Sequence, residues 1–432
     1  MRMTTQGTTT YWGQNSYGAT NSNQANWQKS IDFYCQDNSI DAFPVAFLNV
    51  FFGAGGLPSI DLANICSASS DPVFPGSQLP ECGFLASAIQ TCQSKGKIVT
   101  ISLGGATGAA GFSSDSQATA FADTIWNLFL GGSSSTRPFG NAVLDGVDLD
   151  IEGGSTAHFV PFINQLRSHM NSASKKYYIT AAPQCPFPDA YLGDLINSVA
   201  FDAVYVQFYN NYCNVGTANA NFATWDNWAK TQSPNKNVKV YLGVPASSSA
   251  AGSGYLPISS LGPIIQQYKA TYSSFGGVMF WDASQAYANG RFDAAVKSAL
   301  QGGASAPTSA PPTTSHTTTT TTTSKTTSSS HTTTSSVPPP SSGSCASVNA
   351  WVSNVAYNGG DKVVYGGHLW TAKWWSYGDV PGGSAGDWQD DGACTTAAVA
   401  GAVVKAHYES KAVPTAVPVQ TPGAKNSRFF RL

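Results

Sequence analysis

Residues 145–154 read "DGVDLDIEGG", with carboxylates at Asp145, Asp148, Asp150 and Glu152. The last three alternate with Val147, Leu149 and Ile151. Side chains along a strand point to opposite faces in turn, so Asp148, Asp150 and Glu152 share one face at steps of roughly 6.6–6.8 Å. The other face is apolar and needs cover from helices. This pattern predicts a strand whose acids turn into an enclosed interior. A solvated acidic loop would not carry β-forming apolar residues between its charges, and a Ca²⁺ loop would need glycine turns and more oxygen ligands inside the run. A purely structural acidic cluster with no basic partner would be costly to bury.

Working outward, similar short apolar or β-branched runs recur along the chain. They are "TTTYW" ending at Trp12, "AFPVAFL" (42–48), "KIVTISL" (97–103), "YYITAA" (177–182), "AVYVQF" (203–208), "KVYLGVPA" (239–246) and "GGVMFW" (276–281). Amphipathic stretches such as "QATAFADTIWNLFL" and "HFVPFINQLRSHM" lie between them, with apolar residues at helical spacing. Counting the acidic run, eight strands alternate with helices, which is the count and size of an α/β fold of the (β/α)8 barrel type. A doubly wound sheet is the competing reading, but no GxGxxG loop follows the first strand. In a barrel, chemistry gathers at the C-terminal ends of the strands, and Glu152 is the last of the acids.

The 432-residue chain also divides by composition. Residues 304–344 are almost entirely Thr, Ser and Pro, which bury no core and read as an extended linker, with the Ser/Thr density of an O-glycosylated stalk. No N-x-S/T sequon occurs. The predicted domains are a body at 1–303, the linker at 304–344, a small cysteine-bounded all-β block at 345–394, and a tail at 395–432 with no assigned role.

Net charge is −2 and only 11% of residues are charged, so neither nucleic acid nor an anionic membrane is an expected partner. Eight cysteines without a CxxC pair, with few histidines, fit four disulfides and an oxidising compartment better than a metal site. No metal or cofactor is expected. The start "MRMTTQGTTT" has no apolar h-region, so either this start is trimmed or mis-assigned, or export takes another route. No apolar run approaches the length of a membrane span.

Buried carboxylates spaced along one face raise one another's pKa, which makes Glu152 a plausible proton donor near neutral pH, as cleavage of a glycosidic bond requires. At this point the residues resemble a family. "DGVDLDIE" is similar to the D-G-x-D-x-D-x-E signature of glycoside hydrolase family 18, and the body resembles its class III (plant and fungal) chitinases. "YWGQN" (11–15), "SLGG" (102–105), "AAPQCPFPD" (181–189) and "VQFYNN" (206–211) carry the resemblance along the chain. The threonine-rich "GTTT" before "YWGQ" departs from the family's usual apolar first strand.

The resemblance implies hydrolysis of β-1,4-linked N-acetylglucosamine with the substrate's own N-acetyl carbonyl as nucleophile, an exception to the two-carboxylate rule. It implies Glu152 as acid and base, Asp150 on the acetamido N–H, Asp148 behind Asp150, and Tyr209 donating to the acetamido oxygen. It also implies Trp281 as the wall under the sugar, with Tyr11, Gln14, Asn49, Gly105, Gln207 and Asn210 as cleft residues. Asp145 is expected to start the strand rather than react, and Gly104 and Gly105 to keep the floor low. The implied disulfides are Cys35–Cys92, Cys66–Cys82, Cys185–Cys213 and Cys345–Cys394.

The small block holds Trp351, Trp370, Trp374, Trp375 and Trp388, and is too short for a large core without its disulfide. "YNGGDKVVYGGHLWTAKWW" resembles carbohydrate-binding modules of families 5 and 12. That implies a platform of Tyr357, Trp374 and Trp375 stacking on sugar faces, with Trp351, Trp370 and Trp388 in the core. The expected partners are chitin and chito-oligosaccharides, and the expected setting is secreted or wall-associated, as a monomer. Alternatives are an endo-β-N-acetylglucosaminidase acting on N-glycans and a non-catalytic sugar-binding or inhibitor protein on the same barrel.

Overall fold

In the computed structural model, residues 7–106, 110–303, 345, 348–352, 356–357, 361–372, 376–377, 380–383 and 388–394 are described. The expected linker (304–344) and tail (395–432) lie outside them, as do Trp374 and Trp375. The chain divides into two compact units, residues 1–326 and 327–432.

The first unit is a closed barrel of eight parallel strands. They are β1 (Gly7–Thr10), β2 (Ala42–Leu48), β3 (Ile98–Gly105), β4 (Gly146–Ile151), β5 (Tyr178–Ala181), β6 (Ala203–Gln207), β7 (Lys239–Pro245) and β8 (Phe275–Trp281). Closure is made by β1 against β8, with Gly7 opposite Gly277 and Thr10 opposite Phe280, which rules out an open doubly wound sheet. Each sequence run coincides with a strand to within a few residues. The amphipathic stretches become the helices Asp115–Phe129 and Phe159–Ser172, the first capped by Ser114 accepting from the Gln117 N–H.

Two apolar layers result from strand alternation. Val147, Leu149 and Ile151 of β4 face outward into the large core shared with the helices. The barrel interior is a smaller cluster of Tyr11, Phe47, Tyr205, Tyr241 and Met279, with Trp281 at its upper edge.

The threonine-rich first strand is fully buried, and its hydroxyls have partners. Thr8 Oγ1 donates to the Ser39 carbonyl and Thr10 Oγ1 donates to the Phe280 carbonyl at 3.2 Å. Such bonding lets polar β-branched residues occupy a position usually held by apolar ones.

At the base of β4, Asp145 accepts from the Val99 N–H (2.8 Å) and Gln93 Nε2 (2.9 Å), and pairs with Lys175 (3.0 Å). It therefore ties β3, β4 and β5 together, as a strand-starting residue should. Disulfides join Cys35 to Cys92, Cys66 to Cys82 and Cys185 to Cys213.

The second unit has a three-stranded antiparallel sheet, Lys362–Tyr365, His368–Ala372 and Trp388–Ala393, and a short pair of Ala356–Tyr357 with Ser376–Tyr377. Cys345–Cys394 closes it. Its core is Tyr357, Val363, Ala372 and Trp388, with Trp351 and Trp370 packed against it.

Asp145→Ala should destabilise the barrel unit by about 1–3 kcal/mol, because it leaves the Val99 N–H without its partner. Asp145→Asn, which keeps one acceptor oxygen, should cost less. Urea unfolding checks the order; equal stability of Ala and Asn variants would contradict the role given to Asp145.

Candidate active site

The three acids of β4 do face the barrel interior. Asp148 and Asp150 are buried, and Glu152 stands one residue beyond the strand, partly open to the cleft. Among the described residues Asp148 forms no ion pair; hydroxyls offset its charge instead. In the parallel ladders Ser102 lies opposite Asp148 on one side and Thr180 on the other. Ser102 Oγ donates at 2.7 Å, Thr180 Oγ1 at 2.6 Å, and Tyr11 Oη at 2.8 Å from β1. Burial pushes the Asp148 carboxyl up, and the three donors offset part of that rise.

Asp150 and Glu152 titrate as a linked pair, their mutual hydrogen bonding raising Asp150 and lowering Glu152. Burial raises Asp150 well above the usual carboxylate range, and the charges of Glu152 and Asp148 raise it further. Glu152 is also raised by burial, although the bonds from Asp150 and Gln207 work against this. Gln207 Nε2 donates to Asp150 Oδ1 (3.0 Å) and the Ala182 carbonyl (3.0 Å), with Glu152 Oε1 at 3.4 Å. Among the described residues, no group of His, Cys, Asp or Glu side chains is arranged to hold a metal ion.

Above the acids is a cleft of about 360 Å³. Gln14, Asn49, Gly105, Glu152, Gln207, Tyr209, Asn210 and Trp281 line it. Trp281 stacks on Phe47 (5.9 Å between centroids, 16° between planes) and tilts against Tyr11 (5.7 Å). Tyr209 keeps its proton, since burial and the charges of Asp150 and Glu152 raise its pKa well above the ordinary phenol. Its loop is pinned by Cys185–Cys213, by the Ser253 N–H donating to Asn210 Oδ1 (3.0 Å), and by Asn211 Nδ2 donating to Gln184 Oε1 (3.1 Å).

Two expectations need correction. Tyr11 lies below the cleft lining, 2% exposed, with its hydroxyl committed to Asp148, so it supports an acid and does not line the cleft. Gly104 and Gly105 both line the cleft, and packing also requires them: a Cβ on Gly104 would come within 2.4 Å of the Asp150 carbonyl, and one on Gly105 within 2.9 Å of the Phe47 ring. In the small unit Tyr357 is 9% exposed, sits edge-on to Trp388, and accepts from the Val352 N–H at 2.7 Å. It is a core residue there, not an exposed platform.

Sequence reading missed Phe47 and Asp61, both in the cleft wall. Phe47 sits within an apolar strand run that reads as ordinary core. Asp61 lies in the long connection after β2, where no periodicity marks it.

A parallel barrel with an acid at the rim of β4, a polarising neighbour and an aromatic wall is the layout of a glycosidase. The Glycosyl hydrolases family 18 description matches residues 8–380, and the chain belongs to that family. Over 295 residues it is 53% identical to "Chitinase 2" of Rhizopus oligosporus, covering 68% of this chain and 52% of that protein. The chain spans about half the length of the curated relatives it matches first, 52% and 57%. Among solved structures, the ICChI chitinase from Ipomoea carnea is 33% identical with a TM-score of 0.57, over 68% of this chain and 99% of that one. The xylanase and α-amylase inhibitor protein XAIP-II from Scadoxus multiflorus is 32% identical with a TM-score of 0.55, over 70% and 100%.

The raised carboxyls also predict a stability effect. Their folded pKa values lie above the unfolded ones, so the native state holds protons more tightly and loses stability as pH rises through the folded values. Asp150→Asn mimics the protonated form, so it should raise Tm above wild type at pH 7–8. That margin should shrink towards zero near pH 4; each pKa unit relieved is worth about 1.4 kcal/mol. A Tm gain that stays constant across this range would contradict the assignment.

Proposed function

We propose that this chain is a chitinase that hydrolyses β-1,4 linkages between N-acetylglucosamine units with retention, the substrate's acetamide acting as nucleophile. The observation that carries the reading is the Asp150–Glu152 pair on one strand face, both carboxyls within reach of Gln207, beneath an aromatic wall. In the first step the proton held by the pair passes from Asp150 to Glu152, and the N-acetyl carbonyl oxygen attacks the anomeric carbon while Glu152 gives that proton to the departing glycosidic oxygen. An oxazolinium ion and a free chain end result. Glu152, now ionised, takes a proton from water, which opens the ring with net retention.

Asp150 accepts from the acetamido N–H and offsets the positive charge growing on that group. Tyr209, kept protonated, donates to the acetamido oxygen and turns it towards the anomeric carbon. Trp281 supports the apolar face of the reacting sugar. Asp148 keeps the pair's shared proton in place through its charge. The second unit is proposed to bind chitin through Trp374 and Trp375, raising the local concentration of the barrel at an insoluble polymer. Four disulfides suit a secreted or wall-associated setting.

The competing reading is a sugar-binding or inhibitor protein, given that an inhibitor shares the barrel. Hydrolysis is favoured because Glu152 and its supporting acids are present and interacting. Glu152→Gln should lower kcat on chitin oligomers by about 10²–10⁴-fold while binding persists. Wild type that binds chitin oligomers and releases no sugar would replace hydrolysis with the binding reading. Release of glycans from N-glycoproteins in preference to chitin would favour the endo-β-N-acetylglucosaminidase.

Asp148→Asn removes a charge that raises Asp150, so the shared proton is lost more easily. The alkaline limb of the kcat/KM profile should move to lower pH; an unmoved or upward limb would contradict the coupling. Truncation after Gly303 should spare activity on soluble oligomers and weaken adsorption to insoluble chitin, whereas equal adsorption would remove the binding role from the second unit.

A further inference from the structure

The cleft wall carries an ionisable side chain that this reaction leaves unused. Asp61 exchanges backbone bonds with Phe47 in both directions (3.0 Å each), and its carbonyl also accepts from Gln14 Nε2 (2.9 Å). Its Oδ1 accepts from the Ala63 N–H at 2.8 Å. The residue is thus held at four points, yet its side chain is exposed at the cleft. Among the described residues that line the cleft, Glu152 and Asp61 carry carboxyl groups and none is Lys, Arg or His. Such a lining attracts a cation and repels an anion.

We propose that Asp61 recognises a cationic sugar unit, so that the preferred polymer is partially N-deacetylated chitin, with the ammonium of a glucosamine unit seated on the Asp61 carboxylate. This rests on the hydrolytic reading above. The unit whose anomeric carbon reacts must keep its acetyl group, because that carbonyl is the nucleophile. Asp61 therefore serves a unit elsewhere in the cleft. An ammonium brings three donors and a charge to the carboxylate, where an acetamide brings one neutral N–H.

The test compares kcat/KM on a fully acetylated hexamer and on hexamers with internal glucosamine, at low salt, with the full chain. Asp61→Asn should lower the ratio of deacetylated to acetylated kcat/KM by about two- to fivefold, the range of an exposed ion pair. Asp61→Lys should lower it further, and salt should weaken the wild-type preference. Mass-spectrometric sequencing of wild-type products should place glucosamine at one fixed distance from the new reducing end, which is itself acetylated.

A ratio unchanged in both variants overturns the proposal. Loss of all hydrolysis in Asp61→Asn would make Asp61 a catalytic carboxylate and also overturns it. Wild type inactive on every hexamer, acetylated and mixed alike, would instead sink the hydrolytic reading on which the proposal rests.

Discussion

Everything in the site depends on how Asp148 is buried. A carboxylate in a barrel interior without a cation is costly unless its oxygens are fully bonded. Here the strand register supplies the bonds: Ser102 and Thr180 stand in the rows on either side of Asp148, and Tyr11 reaches in from β1. The same ladder sets Gly104 opposite Asp150, where a side chain would strike the Asp150 carbonyl. A one-residue slip of β4 would turn all three acids into the apolar layer and expose Val147, Leu149 and Ile151 to the interior.

From that anchored charge the chemistry builds upward. The charge of Asp148 raises the pKa of Asp150, that of Glu152 raises it further, and Gln207 donates to Asp150 from β6 with Glu152 Oε1 at 3.4 Å. Raised carboxyls cost stability at neutral pH, which is the usual trade of stability for a primed catalytic acid. The aromatic trio of Tyr11, Phe47 and Trp281 closes the barrel mouth and divides the labour: Tyr11 supports the acid row, while Phe47 and Trp281 present ring surface to the cleft.

Period-2 alternation and apolar runs made all eight strands and the inward acids legible in the sequence, because both are local signals. What stayed hidden was set by tertiary placement. Tyr11 is adjacent to cleft residues in the chain, yet strand pleat turns its hydroxyl down to Asp148. Phe47 looks like any apolar strand residue until β2 reaches the rim. Asp61 reaches the cleft through backbone pairing with Phe47 across an irregular connection, which no spacing rule anticipates. Tyr357 sits in an aromatic-rich segment where sequence does not tell a buried ring from an exposed one, and its hydroxyl partner, the Val352 N–H, is known only once the chain is folded.

The central claim is that the substrate, not the protein, supplies the nucleophile to the anomeric carbon. It is tested most directly by kcat/KM on aryl chitobiosides whose reacting unit carries N-acetyl, N-fluoroacetyl, N-difluoroacetyl or N-trifluoroacetyl. Each fluorine weakens the carbonyl oxygen as a nucleophile while leaving the leaving group unchanged. A steep fall in rate along the series is the predicted result. A flat series would mean that a protein carboxylate attacks instead, and would contradict the account.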